Sequence, residues 1–290
     1  MQKNKVIVLV ILLVSVLTSF FIYNQISLTQ ITFWDEGGYL WQAYVLRHAL
    51  LDGGWIGLWN ASRQEVYYPF LQSWYYIFTS SFLGFSIESL RLANVFLFIP
   101  STILIWFISN ELIPKKTFFK LIPTFLFITS PMIIFFFSNA MKEGSGITLT
   151  LLSLWLYFQA RKKEKTYLFL LTSLSLLALF FTKYNYGVLV IAAIFAESAI
   201  SSLRQIGKSK FWQNQLSLFG PLFLGFFFWA FYPYKNFATI WIVLQNKFQV
   251  NFNDTTPLGH ALYYPTEVAF SYLLNPWLMT LAGFGFLWSF

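Results

Sequence analysis

Residues 6–23 decide the fold and read VIVLVILLVSVLTSFFIY. This run contains no charged side chain, and about 20 predominantly apolar residues suffice for a helix to cross the hydrocarbon core of a bilayer. The run follows Lys3 and Lys5, as the apolar region of a signal peptide would, but the residues after it, Asn24-Gln25-Ile26, offer no small-residue cleavage site. The sequence therefore predicts a retained membrane anchor at the N-terminus.

The composition of the whole chain also indicates a membrane protein. Of its 290 residues, 57% are hydrophobic and 10% are charged, whereas soluble domains are roughly 45–50% apolar and roughly 25% charged. The net charge of +8 comes from Lys and Arg residues in short clusters between apolar runs, which is typical of membrane orientation and not of nucleic-acid binding. The lack of cysteine excludes disulfides, thiolate metal sites and cysteine nucleophiles.

Apolar runs recur along the chain, and we predict an all-α, polytopic transmembrane helical bundle that forms a single domain over residues 1–290. A long outer loop, residues 24–91, carries two interfacial helices, near Tyr39–Leu51 and Tyr67–Phe85. A Gly-rich turn at 52–54 and a polar patch at 60–65 separate them. The chain ends inside an apolar run, so we expect it to be the front part of a longer protein. The candidate spans are Val6–Tyr23, Leu92–Leu112, Leu121–Ser138, Ile147–Ala160 (starting nearer Glu143), Tyr167–Thr182, Gly187–Leu203, Leu216–Tyr232 and Leu273–Phe290.

Tyr67–Phe85 decides the topology, because every later loop changes side if this segment crosses the membrane. Lys and Arg in short loops stay in the cytoplasm. If the segment does not cross, 12 of the 19 Lys and Arg residues lie inside and seven outside, whereas a crossing segment would move ten of the 12 outside. We therefore predict that it lies along the outer interface of a cell (plasma or inner) membrane, with the N-terminus of the chain in the cytoplasm.

The same topology gathers eight of the 11 acidic residues on the outer face, which indicates a polar site there. Two of them, Asp35 and Glu36, follow the first span within Trp34-Asp35-Glu36-Gly37-Gly38. Adjacent carboxylates at a membrane boundary are costly unless they are solvated, paired or functional. One interpretation is a general base or metal ligand that faces a substrate, and the other is a helix start, because acids in the first turn suit the helix dipole.

Three further charged residues are predicted at the same depth, on three other segments. Glu143 follows Lys142 at the next outer turn, Arg91 opens the second span, and Lys183 ends the fifth. Each has a simpler explanation alone, a helix start for the acid and snorkelling for the two cations. Together, two acids and two bases from four segments predict one site.

The order of these motifs resembles that of the GT-C glycosyltransferases, specifically the bacterial and archaeal relatives of the dolichyl-phosphate-mannose protein mannosyltransferases and of the aminoarabinose transferases. The resemblance runs from about residue 1 to residue 200. The family has an Asp-Glu pair in the first outer loop, an interfacial helix with a Pro-Pro-Leu-like start, an Arg-Leu, a Ser-Pro, a second acid and a Lys-Tyr-like turn. The matching residues are, in that order, Asp35-Glu36, Tyr67-Tyr68-Pro69-Phe70-Leu71, Arg91-Leu92, Ser130-Pro131, Glu143 and Lys183-Tyr184.

The chain departs from the family pattern at three points. The second acid is usually Asp, whereas Glu143 stands here after a lysine. The first residue of the Pro-Pro-Leu-like motif is often Lys, whereas this chain has Tyr67, and either Arg63 or Lys142 is a candidate for the missing cation. We expect the family's C-terminal spans and outer domain to be absent.

The resemblance implies transfer of a sugar from a polyprenyl-phosphate donor in the membrane lipid to a protein, lipid or glycan acceptor on the outer face, with inversion at the anomeric carbon. It implies catalytic carboxylates, with Asp35 as the base, and cations that bind the donor phosphate. A divalent metal could bind through Asp35 and Glu143, since carboxylates suit hard cations, but the sequence requires no cofactor. The implied catalytic residues are Asp35, Glu36 and Glu143, and the implied phosphate-binding residues are Arg91, Lys183 and Arg63.

Two other functions stay open. A membrane transporter or lipid flippase concentrates ionisable groups near the bilayer midplane, where this chain offers only Glu197. A non-catalytic envelope-assembly protein could use the same scaffold. Neither the sugar nor the acceptor follows from the sequence.

Overall fold

The computed structural model describes residues 2–26, 34–64, 68–113, 117–202 and 209–231, and this part of the chain is helical without strands. The all-α prediction is thus confirmed for the described residues. The predicted span Leu273–Phe290 lies outside them. The helices are α1 (Gln2–Ile26), α2 (Trp34–Gln64), α3 (Leu71–Leu83), α4 (Ile87–Leu112), α5 (Thr117–Thr129), α6 (Pro131–Ser138), α7 (Lys142–Lys163), α8 (Thr166–Thr182), α9 (Tyr184–Ser202) and α10 (Ser209–Phe231).

Within the described ranges, three helices are long and apolar enough to cross a membrane, namely Val6–Asn24 of α1, the whole of α4, and Tyr184–Ser201 of α9. Helices α5 and α6 would form a fourth span as a pair bent by 53°. Helix α8 is apolar but shorter. Helices α7 and α10, which the sequence also predicts as spans, begin with polar turns and do not join this set. The helices therefore support membrane association, while the side and number of crossings stay predictions.

The bend between α5 and α6 follows from one proline. Pro131 opens α6, where its missing N–H costs nothing. The ring of a proline disfavours helical geometry in the residue before it, and Ser130 is extended, with φ −69° and ψ 118°. The apolar run predicted as one span at Leu121–Ser138 is therefore two helices.

The long segment between α1 and α4 bends where the Gly-rich turn was predicted. Helix α2 is broken by a kink at Gly54, whose φ of 61° and ψ of −155° are accessible essentially only to glycine, and helical structure then continues to Gln64, where a polar patch was predicted. The chain reverses there, so that Gly57 lies directly against the carbonyl oxygen of Ala49 and has no room for a side chain. Helix α3 forms as predicted but is shorter at both ends.

Four apolar clusters join the helices. One lies between α7, α8, α9 and α10, and a second lies between α1, α4, α5 and α6. Two smaller clusters hold the kinked α2 and the short α3 against α4 and α8. This packing brings the beginnings of α2, α4 and α7 together at one end of the bundle, where the predicted site residues lie.

Candidate functional site

A buried ion pair joins the beginnings of α2 and α4. Glu36 is fully buried and Arg91 is 2% exposed. Arg91 Nε donates to Glu36 Oε1 and Arg91 Nη2 to Oε2, both at 2.8 Å, and the backbone N–H of Ala140 donates to Oε1 at 2.7 Å. Because the carboxylate receives three donors, two of them in the forked geometry that favours Arg, its charge is compensated in spite of its burial.

Asn94, less than one turn beyond Arg91, fixes the short turn between α6 and α7. Its Nδ2 donates to the carbonyl oxygens of Asn139 at 2.6 Å and of Met141 at 2.8 Å. Its Oδ1 accepts from Nε2 of Gln72 at 3.0 Å. The turn is therefore held through its carbonyl groups by Asn94 and through one N–H by Glu36.

Lys142, at the first position of α7, is 1% exposed and connects α7 to the first loop. Its Nζ donates to Gln42 Oε1 at 3.0 Å and to the carbonyl oxygen of Pro69. The ammonium also lies 4.6 Å from the ring centroid of Tyr39 and 5.1 Å from that of Tyr68, distances at which cations are attracted to aromatic faces. Of the two candidate cations for the start of α3, Lys142 is the one that contacts the Tyr68-Pro69 segment.

A second ion pair joins α7 to the turn between α8 and α9. Lys183 Nζ donates to Glu143 Oε1, with the two side chains 17% and 13% exposed. The ammonium lies 4.7 Å from the ring centroid of Tyr186. Gly146 permits this packing, since a Cβ there would lie 3.0 Å from Tyr186 Cδ2. The other carboxylate oxygen, Glu143 Oε2, is buried and has no hydrogen-bond partner among the described residues.

Tyr76 of α3 is fully buried near both carboxylates. Burial raises the pKa of Tyr76 well above its usual value, and the negative charges of Glu36 and Glu143 raise it further, although the neighbouring Gln72 amide opposes the shift. The phenol therefore stays protonated at any physiological pH, so it can donate but not act as a base.

Asp35 is exposed in the first turn of α2, next to Glu36. Residues four and seven positions apart share one face of a helix, so Asp35 lies on the face of Tyr39 and Gln42, the side chains that contact Lys142. Asp35 is thus the solvent-accessible acid at this end of α2, beside a partner acid that is sequestered.

Four of the predicted site residues form two ion pairs, Glu36 with Arg91 and Glu143 with Lys183. Asp35 is the sequence neighbour of the first pair. Arg63 lies elsewhere, beyond the kink of α2, where its Nη2 donates to Asn60 at 3.0 Å and its guanidinium lies 5.7 Å from the ring centroid of Trp59. Asn94 and Gln72 were not among the predicted site residues. An amide inside an apolar helix is a signal for them, since Asn and Gln side chains there form hydrogen bonds to neighbouring helices.

A metal at this site would need ligands beyond this chain's described carboxylates. In the described ranges, no group of three or more His, Cys, Asp and Glu residues is placed to hold a metal ion. Hard divalent cations take six or more oxygen ligands, so an ion at Asp35 and Glu143 would be completed by water and substrate oxygens.

Comparison with known protein families, curated proteins and solved structures finds no match to this chain. The likeness to the GT-C glycosyltransferases consequently rests on the order of the motifs alone.

Proposed function

We propose that this protein transfers a sugar from a polyprenyl-phosphate donor to an acceptor at the end of the bundle where α2, α4 and α7 begin. One observation carries the proposal: two acids in different surroundings lie at this end. Asp35 is exposed and can accept a proton, whereas Glu143 is largely buried and one of its oxygens has no hydrogen-bond partner within the described ranges. An exposed acid and a largely buried one can take different roles, the first in proton transfer and the second in positioning.

In the proposed reaction, the acceptor hydroxyl attacks the anomeric carbon as Asp35 takes its proton. The bond between the anomeric carbon and the phosphate oxygen breaks, and the polyprenyl phosphate leaves with the electron pair. Glu143 positions Lys183 through their ion pair, and Lys183 stabilises the leaving phosphate. Since Arg91 is engaged by Glu36, we assign it to positioning the start of α2, and a phosphate contact of Arg91 or Arg63 stays a prediction.

Asp35→Asn tests the proposal, because it keeps the size of the side chain and removes its ability to accept a proton. The assay is transfer of radiolabelled sugar from a polyprenyl phosphate to cell-envelope extract by the full chain in nanodiscs. General base catalysis contributes about 10²–10⁴-fold, so turnover should fall by that order while donor binding persists. Asp52→Asn, which alters another exposed acid of α2, is the matched control and should keep its activity.

Two results would count against this function. Near wild-type transfer by a folded Asp35→Asn protein would remove Asp35 from the mechanism. Wild-type protein that transfers none of a panel of hexosyl and pentosyl donors would exclude glycosyl transfer itself.

A non-catalytic envelope-assembly protein is the second candidate, and one observation favours it. Arg91 and Lys183, the two cations expected at the donor phosphate, are both engaged by carboxylates of this chain. Such pairs also suit a scaffold that only holds its helices together. An inactive wild type that nevertheless copurifies with envelope enzymes would support this alternative. The transporter or flippase gains no such support, because Glu197 accepts hydrogen bonds from Tyr157 and Ser201.

A further inference from the structure

A cavity of about 410 Å³ lies at the opposite end of the bundle, between the end of α7 and the beginnings of α8 and α10. Along α7, Phe158 of the cavity lies 15 residues beyond Glu143 of the candidate site, a distance of roughly 22 Å at 1.5 Å per residue. No part of the proposed glycosyl transfer involves it. Its lining residues are Phe158, Arg161, Lys162, Glu164, Phe169, Lys210, Phe211, Asn214 and Gln215.

The lining of the cavity holds more cations than acids. Among the described residues that line it, Arg161, Lys162 and Lys210 are cations and Glu164 is an acid. Two acids outside the lining pair with the cations of α7, Glu197 with Arg161 at 3.3 Å and Glu111 with Lys162 at 2.7 Å, and each pair has one partner that is exposed. The Lys210–Glu164 pair spans 3.8 Å with side chains 60% and 63% exposed, and such exposed pairs are weak and easily exchanged for another anion. Lys163, on the same turn, adds a further exposed positive charge.

Two amides in the lining have their oxygens engaged by hydroxyl groups. Asn214 Oδ1 accepts from the hydroxyl of Thr166 at 3.0 Å, and Gln215 Oε1 accepts from the hydroxyl of Ser198 at 2.7 Å. An amide whose oxygen is engaged still has two N–H donors to offer. The cavity therefore combines cationic and neutral donors, the combination that recognises phosphate oxygens.

The remaining lining is aromatic, which separates this cavity from a site for a soluble anion. Phe169 and Phe211 are buried, at 3% and 6% exposure, and Phe158 completes the apolar lining. A free phosphate ion gains nothing from an apolar wall, whereas a lipid presents a charged headgroup joined to an apolar body. Basic pockets between membrane helices bind anionic lipid headgroups on the side that the positive-inside rule assigns to the cytoplasm.

We propose that this cavity binds the phosphate headgroup of an anionic membrane phospholipid, with the glycerol and the first acyl carbons against the phenylalanines. Its volume lies within the roughly 300–1,000 Å³ of ordinary ligand sites. The cations at the rim compensate the phosphate charge, and the amides of Asn214 and Gln215 donate to its oxygens.

The test measures lipid binding to the purified full chain in detergent by native mass spectrometry, with phosphatidylglycerol as the probe and phosphatidylcholine as its uncharged counterpart. Lys210→Gln removes one cation of the lining, and a lysine near an anionic lipid surface is worth about a fivefold change in affinity. We expect Lys210→Gln to show this loss of affinity for phosphatidylglycerol and to bind phosphatidylcholine as the wild type does. Lys163→Gln is the matched control, since it removes the same charge from the same basic end of the bundle but outside the lining. The affinity of this variant for phosphatidylglycerol should stay within about twofold of the wild-type value.

Three outcomes would overturn the proposal. Equal losses in Lys210→Gln and Lys163→Gln would mean a diffuse basic surface. Equal retention of phosphatidylcholine and phosphatidylglycerol would mean an apolar groove without phosphate recognition. Displacement of the lipid by inorganic phosphate at a comparable concentration would mean a soluble-anion site. Because Lys210 is exposed, its variant should fold as the wild type does, and an unchanged melting temperature without added lipid verifies this.

Discussion

Removing Arg91 should cost far more stability than removing any exposed cation, because it leaves a charged carboxylate in the protein interior. In Arg91→Met, Glu36 would remain fully buried with the Ala140 N–H as its donor. Breaking a buried pair by deleting one partner costs about 3–5 kcal/mol. At roughly 2–4 °C per kcal/mol for a chain somewhat smaller than this one, the melting temperature should fall by roughly 6–20 °C.

A double-mutant cycle isolates the pair from the packing of its members. Thermal unfolding of wild type, Arg91→Met, Glu36→Gln and the double variant would be measured in one detergent. The double variant removes both charges, so it should be less destabilised than the sum of the single variants by more than about 1.5 kcal/mol, within the range found for residues in direct contact. Asp35→Asn should stay close to wild type in the same assay, because Asp35 is exposed.

Glu164→Gln is the control, because it removes an exposed ion pair instead of a buried one. Its partner Lys210 lies 3.8 Å away and both side chains are mostly exposed, so the pair is worth about 0–1 kcal/mol. If Arg91→Met lowered the melting temperature no more than Glu164→Gln, or if the cycle were additive, the buried pair would not hold this end of the bundle together.

Three further outcomes are expected. Burial raises the pKa of Tyr75 to about 12, so the unfolded state loses the phenol proton at a lower pH than the folded state does. The free energy of unfolding should therefore fall between pH 10 and 12. Tyr75→Phe should make this fall shallower in alkaline unfolding titrations, and an unchanged slope would contradict the prediction. Gly187→Ala should destabilise by about 1–3 kcal/mol, because its Cβ would lie 2.5 Å from a backbone atom of α8, while Gly220→Ala, with 3.6 Å to its nearest neighbour, should not. In this cysteine-free chain, Glu88→Cys should react with an impermeant thiol reagent on intact cells and Lys163→Cys only after permeabilisation, and the reverse pattern would invert the predicted topology.

Helix positions follow from the sequence where an apolar run is bounded by charges. The run Tyr167–Thr182 lies between lysines and forms a helix one residue longer, Thr166–Thr182. The two glycines after Leu51 predict a turn, and the chain does reverse at Gly54. The helix that follows to Gln64 was not predicted, and the packing of Leu58 with Leu46 in one apolar cluster stabilises it.

The candidate site could also be predicted only in part from the sequence. Asp35 lies in the first turn of α2 and Glu143 in the first turn of α7, helix starts that the apolar runs allow to be predicted to within a few residues. The identity of each partner could not be predicted, because it depends on the rotation of every helix about its axis. Consecutive residues point in different directions around a helix. Glu36 is therefore buried against Arg91 while the residue before it is exposed, and buried Lys142 has different partners from Glu143, the residue after it.

The partners of Glu36 impose an order on the synthesis of this protein. Arg91 lies 55 residues and Ala140 lies 104 residues beyond it in the chain. At about 5–20 residues per second, the ribosome delivers Arg91 roughly 3–11 s after Glu36, and Ala140 roughly 5–20 s after it. During that interval, transfer of the unpaired carboxylate from water into the protein interior would cost considerable free energy. We therefore expect the start of α2 to stay in water until Arg91 and Ala140 have been synthesised, so that this end of the bundle closes only after both have emerged from the ribosome.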